Sequence, residues 1–388
     1  MRTRRPRLRS RTWVAAGLAM ALAGSSGMAR AQTPLPPPYN YDEPLPRAPR
    51  PAPPWQDLAL GPEGQRYRMP VYANRKLAGK LDTVRRAIVV LHSARRDASR
   101  HYQDIAALVE RDPARRADTL ILALEFPAPI DAAFAGRPAW RRNSWENGAD
   151  SVRASGRPAP VSAFRVLDDI LRWLAERERL PALSDIVVAG HGGGAQLLQR
   201  YAVLNDIDGQ VRRAGLGLRY VIANAPSYLY LTNERPRRAG SGYAPYERGI
   251  CPTYNQYPYG PQQLPAYAAG QDPAGLYVRY AARDVVYLLG SADTNPEDHG
   301  LDKRCGAEAQ GATRLSRGLG YVLYDLLLAG RGARRVTLAH EHQQVMGVGH
   351  ESAAMFGSLC GTRALLGDAA RTATDAAACQ PVDRAPAR

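Results

Sequence analysis

Asp185-Ile186-Val187-Val188-Ala189-Gly190-His191-Gly192-Gly193-Gly194-Ala195-Gln196-Leu197-Leu198 is the stretch on which the reading of the chain turns. The apolar, β-branched run from Ile186 to Ala189 predicts a buried strand, and the run from Ala195 predicts a helix. Between them the chain must reverse within a few residues. A strand that passes so abruptly into a helix is how a nucleophile elbow is built, with the pattern G-x-S-x-G and the reactive side chain at the apex. Gly190 and Gly194 permit the tight reversal, His191 fills the first variable position, and Gly193 places a free backbone N–H beside the apex. The apex, where serine is expected, is Gly192. The turn is complete except for its nucleophile.

Similar short apolar runs occur on both sides of the elbow. Arg86-Ala87-Ile88-Val89-Val90-Leu91-His92 and Thr119-Leu120-Ile121-Leu122-Ala123-Leu124 predict central strands, with Tyr102, Ile105, Ala106 and Val109 at helical spacing between them. Phe164, Leu167, Leu171 and Leu174 form one stripe of a helix expected over Ser162–Leu180. After the elbow, a helix running through Tyr201 is followed by strands at 218–223 and 285–289. A helix at 315–328 and a last strand at 335–339 complete the series. Strands that are apolar on both faces and alternate with helices predict an α/β domain with a mostly parallel central sheet, helices on both faces, and ligands at the carboxyl ends of the strands.

The irregular stretch 226–280 breaks this alternation. It is rich in proline and glycine and carries Tyr228, Tyr230, Tyr243, Tyr246, Tyr254, Tyr257, Tyr259, Tyr267, Tyr277 and Tyr280. We read it as a cap-like insertion over the site, in which the tyrosines either offer a flat contact surface to a ligand or pack a long loop. Residues 1–31 read as a signal peptide: an arginine-rich start, an apolar stretch from Trp13 to Ala23, and Ala29-Arg30-Ala31 as the cleavage pattern. Thr3-Arg4-Arg5-Pro6-Arg7-Leu8-Arg9 also resembles a twin-arginine signal, so both export routes stay open. A proline-rich spacer is expected over 32–57, the domain over 58–360 and a tail over 361–388. The apolar stretch is shorter than the ~20 residues of a spanning helix, so no membrane association is expected after cleavage, and the destination is periplasmic or extracellular.

The chain carries a formal charge of +16, of which seven positive charges belong to the leader; lysine occurs only at 76, 80 and 303. No basic run is interleaved with aromatics in the manner of a nucleic-acid module, and no nucleic-acid partner is expected. Four cysteines in an oxidising compartment, with no C-x-x-C spacing, point to disulfides, and we favour Cys251 with Cys305 and Cys360 with Cys379. His340 and His342 alternate along a strand, but no third ligand stands out beside them. Neither a metal nor another cofactor is expected.

Catalysis at an elbow requires a base and a carboxylate that orients it, arriving after the nucleophile in the order acid, histidine. Asp293 stands just past the 285–289 strand and His350 lies in a glycine-containing loop near the end of the domain; Asp298 and Asp302 are rival acids. Oxyanion donors are expected from Gly193 and from the loop after the first central strand, at Ser93 or Ala94. Around both places the sequence resembles exported α/β-hydrolases of the esterase, lipase and polyester-depolymerase type, over about Arg86 to Phe356. Their elbow reads G-H-S-x-G and their first loop often begins His-Gly. The resemblance implies the α/β-hydrolase fold and a small or polymeric ester or amide substrate. Ser93 departs from the pattern in a minor way and Gly192 in a major one.

Without a hydroxyl at the apex no acyl-enzyme forms, and glycine relieves the strain that an elbow nucleophile bears. His191 and Ser227 are not placed to substitute. Three readings follow: a serine-hydrolase lineage whose centre is inactivated, a binding protein that keeps the cleft without the chemistry, or a hydrolase in which His350 activates a water.

Overall fold

In the computed structural model, which describes residues 54–237, 242–247, 249–331, 336–367 and 377–382, nine strands form one sheet. They are β1 (Trp55–Leu60), β2 (Tyr67–Ala73), β3 (Arg86–Leu91), β4 (Thr119–Leu124), β5 (Asp185–His191), β6 (Gly217–Ala223), β9 (Asp284–Gly290), β10 (His340–Val345) and β11 (Cys379–Pro381). Their spatial order is β1-β2-β4-β3-β5-β6-β9-β10-β11. Pairing is parallel from β4 through β10 and antiparallel at both ends. β7 (Glu234–Pro236) and β8 (Tyr243–Pro245) form a separate antiparallel pair.

Side-chain alternation divides the core into two layers. Val89, Leu91, Val188 and Ile222 pack with the helices Ala163–Leu174, Gly193–Leu204 and Arg314–Gly330 on one face. Ile88, Val90, Val187 and Val221 pack with the helices Ala98–Val109, Ser352–Gly357 and Leu359–Leu366 on the other. The mostly parallel sheet covered on both faces is the expected architecture, and it needs β strands apolar on both sides because no face meets water.

Several boundaries are corrected. The last parallel strand is His340–Val345, not 335–339. Val336 and Leu338 instead pack as partly buried residues against the core. Apolar composition there marked burial, whereas strand pairing falls on the polar segment that aligns His340 with Val285 and Val345 with Gly290. The helix after Ser162 ends at Leu174 rather than Leu180. β1 begins at Trp55, inside the expected spacer. The described residues beyond 360 pack with the domain: the helix Leu359–Leu366 buries Leu365 and Leu366, and β11 pairs with β10. The expected signal peptide over 1–31 and residues 32–53 lie outside the described residues. No described helix is long and apolar enough to cross a membrane.

Cys251 pairs with Cys305 and Cys360 with Cys379, each at a Cα separation of 5.7 Å. Of the tyrosines in the insertion, Tyr228, Tyr230, Tyr254, Tyr259, Tyr277 and Tyr280 are buried. Tyr228 stacks on Tyr321 at 4.7 Å, so these rings build core and do not form an open platform.

The elbow helix sits on the sheet without a spacer. A Cβ on Gly194 would lie 2.4 Å from the Leu91 carbonyl oxygen, and one on Gly190 would lie 2.4 Å from the Gly194 carbonyl carbon. Both obstacles are backbone and cannot rotate away. Gly194→Ala is expected to cost about 1–3 kcal/mol by overpacking, read as a lower denaturant midpoint with an unchanged slope. An unchanged midpoint would contradict the close approach.

Candidate active site

Gly192 is the apex, with φ 57° and ψ −118°, and its N–H donates to the Ala223 carbonyl at 3.1 Å. This conformation is strained for any residue with a Cβ, and glycine adopts it without that cost. A Cβ built on Gly192 would stand 3.2 Å from His350 Nε2, and within 4 Å, among the described residues, it would meet only His350 and its own chain neighbours. On the other side of the ring, His350 Nδ1 lies 2.8 Å from Asp293 Oδ2. The structure therefore brings together Gly192, His350 and Asp293, from the ends of β5, β10 and β9.

The rival acids are engaged elsewhere. Asp298 accepts from Arg314 Nη2 at 2.6 Å, and Asp302 accepts from Arg304, Tyr259 and Ser227. Asp293 is buried, and its other oxygen lies 3.5 Å from Arg314 Nη1. His191 packs beside His350 with ring centroids 4.5 Å apart. Burial, and then the neighbouring His350, hold its imidazole well below the ordinary histidine range, so it stays neutral.

Sequence reasoning missed the clamp that carries the histidine and the acid. Asn224, at φ 49° just past β6, accepts from the Gly290 N–H at 2.7 Å and donates to the Gly349 carbonyl at 2.9 Å. Ser291 Oγ accepts from the Gly347 N–H at 2.8 Å, and the Ala292 N–H donates to the Val348 carbonyl at 2.9 Å. The signal that could have found Asn224 was its place directly after a buried strand, at a residue type that tolerates positive φ.

Of the two loop candidates for the oxyanion position, Ser93 is excluded. Its N–H donates to His101 Nε2 at 3.1 Å and its hydroxyl donates to Asp97 at 2.8 Å. Ala94 remains: its N is 3.0 Å from where a Gly193 Cβ would sit.

No protein-family model and no curated protein matches the sequence. Among solved structures the chain is similar to poly(aspartic acid) hydrolase-1 from Sphingomonas sp. KT-1, with 21% identity, 78% of this chain and 96% of that chain covered, and a TM-score of 0.52. It is also similar to LpqC, a poly(3-hydroxybutyrate) depolymerase from Bordetella parapertussis, with 20% identity, coverage of 84% and 94%, and a TM-score of 0.56. The fold is that of the α/β-hydrolases. Likeness at this identity is one of architecture.

A cleft of about 910 Å³ between β1 and the helix Ala163–Leu174, lined by Tyr67, Asp169, Arg172 and Tyr267 among others, contains none of Gly192, Asp293 or His350. The two histidines of β10 do find a third partner. Asp325 Oδ2 lies 2.6 Å from His340 Nδ1 and 3.2 Å from His342 Nε2, and one ligand atom from each of the three falls within 4.8 Å of the others. His340 Nε2 is 2.8 Å from the Tyr280 carbonyl. The polar atoms thus satisfy one another, and the cluster ties β10 to the helix Arg314–Gly330. Asp325 escaped notice because it lies 15 residues upstream of His340 on a helix.

Burial alone would raise the Asp325 carboxyl, but His340 and His342 more than offset it and hold it below the usual carboxylate range. A depressed folded-state value stabilises the fold above the unfolded value of about 4 and loses that contribution as pH falls through the folded one. Asp325→Asn should therefore cost about 3–5 kcal/mol at neutral pH, and the gap from the unaltered chain should narrow on acidification below pH ~4. Denaturant unfolding at several pH values checks this; a gap independent of pH would remove the ion cluster from the account.

Proposed function

We propose that this chain is an exported protein of serine esterase or depolymerase lineage that holds an ester or amide carbonyl in the crevice between Gly192 and His350, with acyl-enzyme chemistry lost at the elbow. The observation that carries the reading is the 3.2 Å between His350 Nε2 and the Cβ position of Gly192, with Asp293 behind the ring at 2.8 Å. A histidine held by a carboxylate and aimed at the apex of an elbow is the base half of a nucleophile–base pair. The Gly193 and Ala94 amides supply donors for the carbonyl oxygen. Export is supported by the arginine-rich leader and by two disulfides. Polymeric esters and amides are natural candidates, since the two similar structures bear the names of a polyester depolymerase and a poly(aspartic acid) hydrolase.

One observation favours a second reading. Because His350 alone faces a side chain at 192, a water bound there would have an imidazole as its general base. Hydrolysis would then be slow but real.

The assay is hydrolysis of short-chain aryl esters by the unaltered chain and by Gly192→Ser, each with and without His350→Ala. Loss of the nucleophile in a serine protease costs about 10⁶ in turnover, so restoring serine should raise kcat/KM at least ~10²-fold, even with imperfect placement, and His350→Ala should abolish the gain. Gly192→Ser should also lower stability by about 1–3 kcal/mol through backbone strain. Activity of the unaltered chain that needs His350 selects water attack. No gain on adding serine, with the fold intact, rejects the lineage reading in favour of a binding protein.

A further inference from the structure

Glu146 lies in a turn that is anchored on several sides, although four of its buried polar atoms, Asn143 Oδ1, Trp145 Nε1, Asn147 Oδ1 and Glu146 Oε1, have no hydrogen-bond partner among the described residues. It belongs to the segment Arg141–Asn147, in which Arg142 and Asn143 adopt positive φ of 48° and 53°. Trp145 beside it is buried, stacked on Phe126 at 5.1 Å and edge-on to His92 at 4.6 Å. Arg200 Nη1 donates to the Glu146 main-chain oxygen at 3.1 Å, and the Tyr257 hydroxyl donates to the Asn147 carbonyl at 2.6 Å. Asn143 Nδ2 donates to the Ala94 carbonyl at 2.6 Å, so the same turn that carries Glu146 also grips the loop that carries the Ala94 amide.

The Glu146 side chain is far less well served. Oε2 receives only a long contact from Gln196 Nε2 at 3.4 Å, and Oε1 is shut off from solvent with no hydrogen-bond partner. An unpaired carboxyl oxygen in such a place is costly unless it serves a ligand. Its position says which ligand atom. A Cβ on Gly193 would come 2.5 Å from Glu146 Oε1 and 3.0 Å from Ala94 N, so the carboxyl and the amide both lie against the Gly193 backbone. This also accounts for glycine at 193, where any side chain would displace the carboxyl.

We propose that Glu146, as a neutral carboxylic acid, is a third hydrogen-bond donor beside the Ala94 and Gly193 amides, and that the three form a pocket for an anionic or strongly polarised oxygen. The proposal rests on the reading of the crevice as a carbonyl site and specifies how that carbonyl is held. An ionised carboxylate at this point would repel an oxygen gaining negative charge, whereas the acid donates to it. Desolvation pushes the Glu146 carboxyl up; Arg200 and Arg304 pull it down and Asp302 pushes it further up, leaving it at about 8. These are the charged groups facing it: Arg200 from the elbow helix, Asp302 and Arg304 from the loop after β9. The Tyr257 phenol, raised by burial, stays neutral. The acid form therefore prevails below about pH 8 and is lost above it.

The test uses the folded, unaltered chain and Glu146→Gln, whose amide keeps a donor at every pH, with the phenyl methylphosphonate monoanion as probe and calorimetric affinity at pH 6.5 and 9.5. Any contribution from a charged His350 is common to both proteins, so the readout is the ratio of their dissociation constants. That ratio should be near one at pH 6.5, and the unaltered chain should bind at least ~10-fold more weakly than the variant at pH 9.5, since each lost hydrogen bond to a charged group costs about 1.5–3 kcal/mol. A ratio that does not change with pH overturns the proposal, as does failure of both proteins to bind at either pH. The serine-restoration assay judges the lineage reading separately, so the two can fail independently. Infrared difference spectra of the unaltered chain give a second readout that needs no variant. A neutral carboxyl C=O band should be lost between pH 6.5 and 9.5 and restored by the phosphonate at pH 9.5, and a band indifferent to the ligand overturns the assignment.

Discussion

The contact between Gly194 and the carbonyls of Leu91 and His92, at the end of β3, is the constraint from which the site's geometry follows. It presses the elbow helix directly against the carboxyl end of a neighbouring strand. That pressure brings the Gly193 amide, on the helix, next to the Ala94 amide, on the loop that follows β3. Two backbone donors from segments a hundred residues apart thereby share one small volume. Neither amide depends on side-chain identity; the arrangement requires only that no Cβ intervene at 190 or 194.

The base and the acid are held by a different device. β9 and β10 pair in parallel register, so their carboxyl ends finish side by side, and the loops beyond them are joined by Ser291, Ala292 and the Asn224 amide. His350 is thus fixed from three strands at once. Its position does not rely on a partner at 192, which is why the imidazole still faces the apex although glycine stands there. Loss of a nucleophile need not disturb the remainder of a site whose scaffold is built from backbone hydrogen bonds.

Burial of charge runs through the same region. Arg200, Arg235, Arg314 and Arg317 are all buried; Arg314 binds the carboxylates of Asp293 and Asp298, whereas most bonds of the other three go to backbone carbonyls, as with Arg317 to Pro226 and Asp302, or Arg235 to Tyr254 and Tyr259. Guanidinium groups offer several fixed donors and suit this work. They help the long insertion hold a defined course where the short β7–β8 pair and the helix Pro273–Ala281 leave its carbonyls without partners. Its tyrosines add the apolar area that a loop otherwise lacks; the hydroxyls of Tyr267, Tyr259 and Tyr257 donate to Asp168, Asp302 and the Asn147 carbonyl, whereas those of Tyr228 and Tyr230 are buried without a partner among the described residues.

Periodicity and turn chemistry made the α/β class, the central strands β3 to β6 and β9, the elbow, and the chain order of apex, acid and histidine legible in the amino-acid string, because these features depend on local composition and on neighbours along the chain. The string also revealed that the apex lacks a hydroxyl. Strand β10 was misplaced, because its pairing with β9 is a non-local fact that polar residues do not advertise. Ser93 and Ala94 could not be told apart, because only the folded chain shows which amide His101 occupies. Asp325 beside His340 and His342, Asn224 beneath the His350 loop, and Glu146 against Gly193 are likewise matters of three-dimensional proximity. Their partners lie from 15 to 125 residues away along the chain, and no spacing rule along the backbone encodes such a meeting; packing of the sheet and its helices decides it.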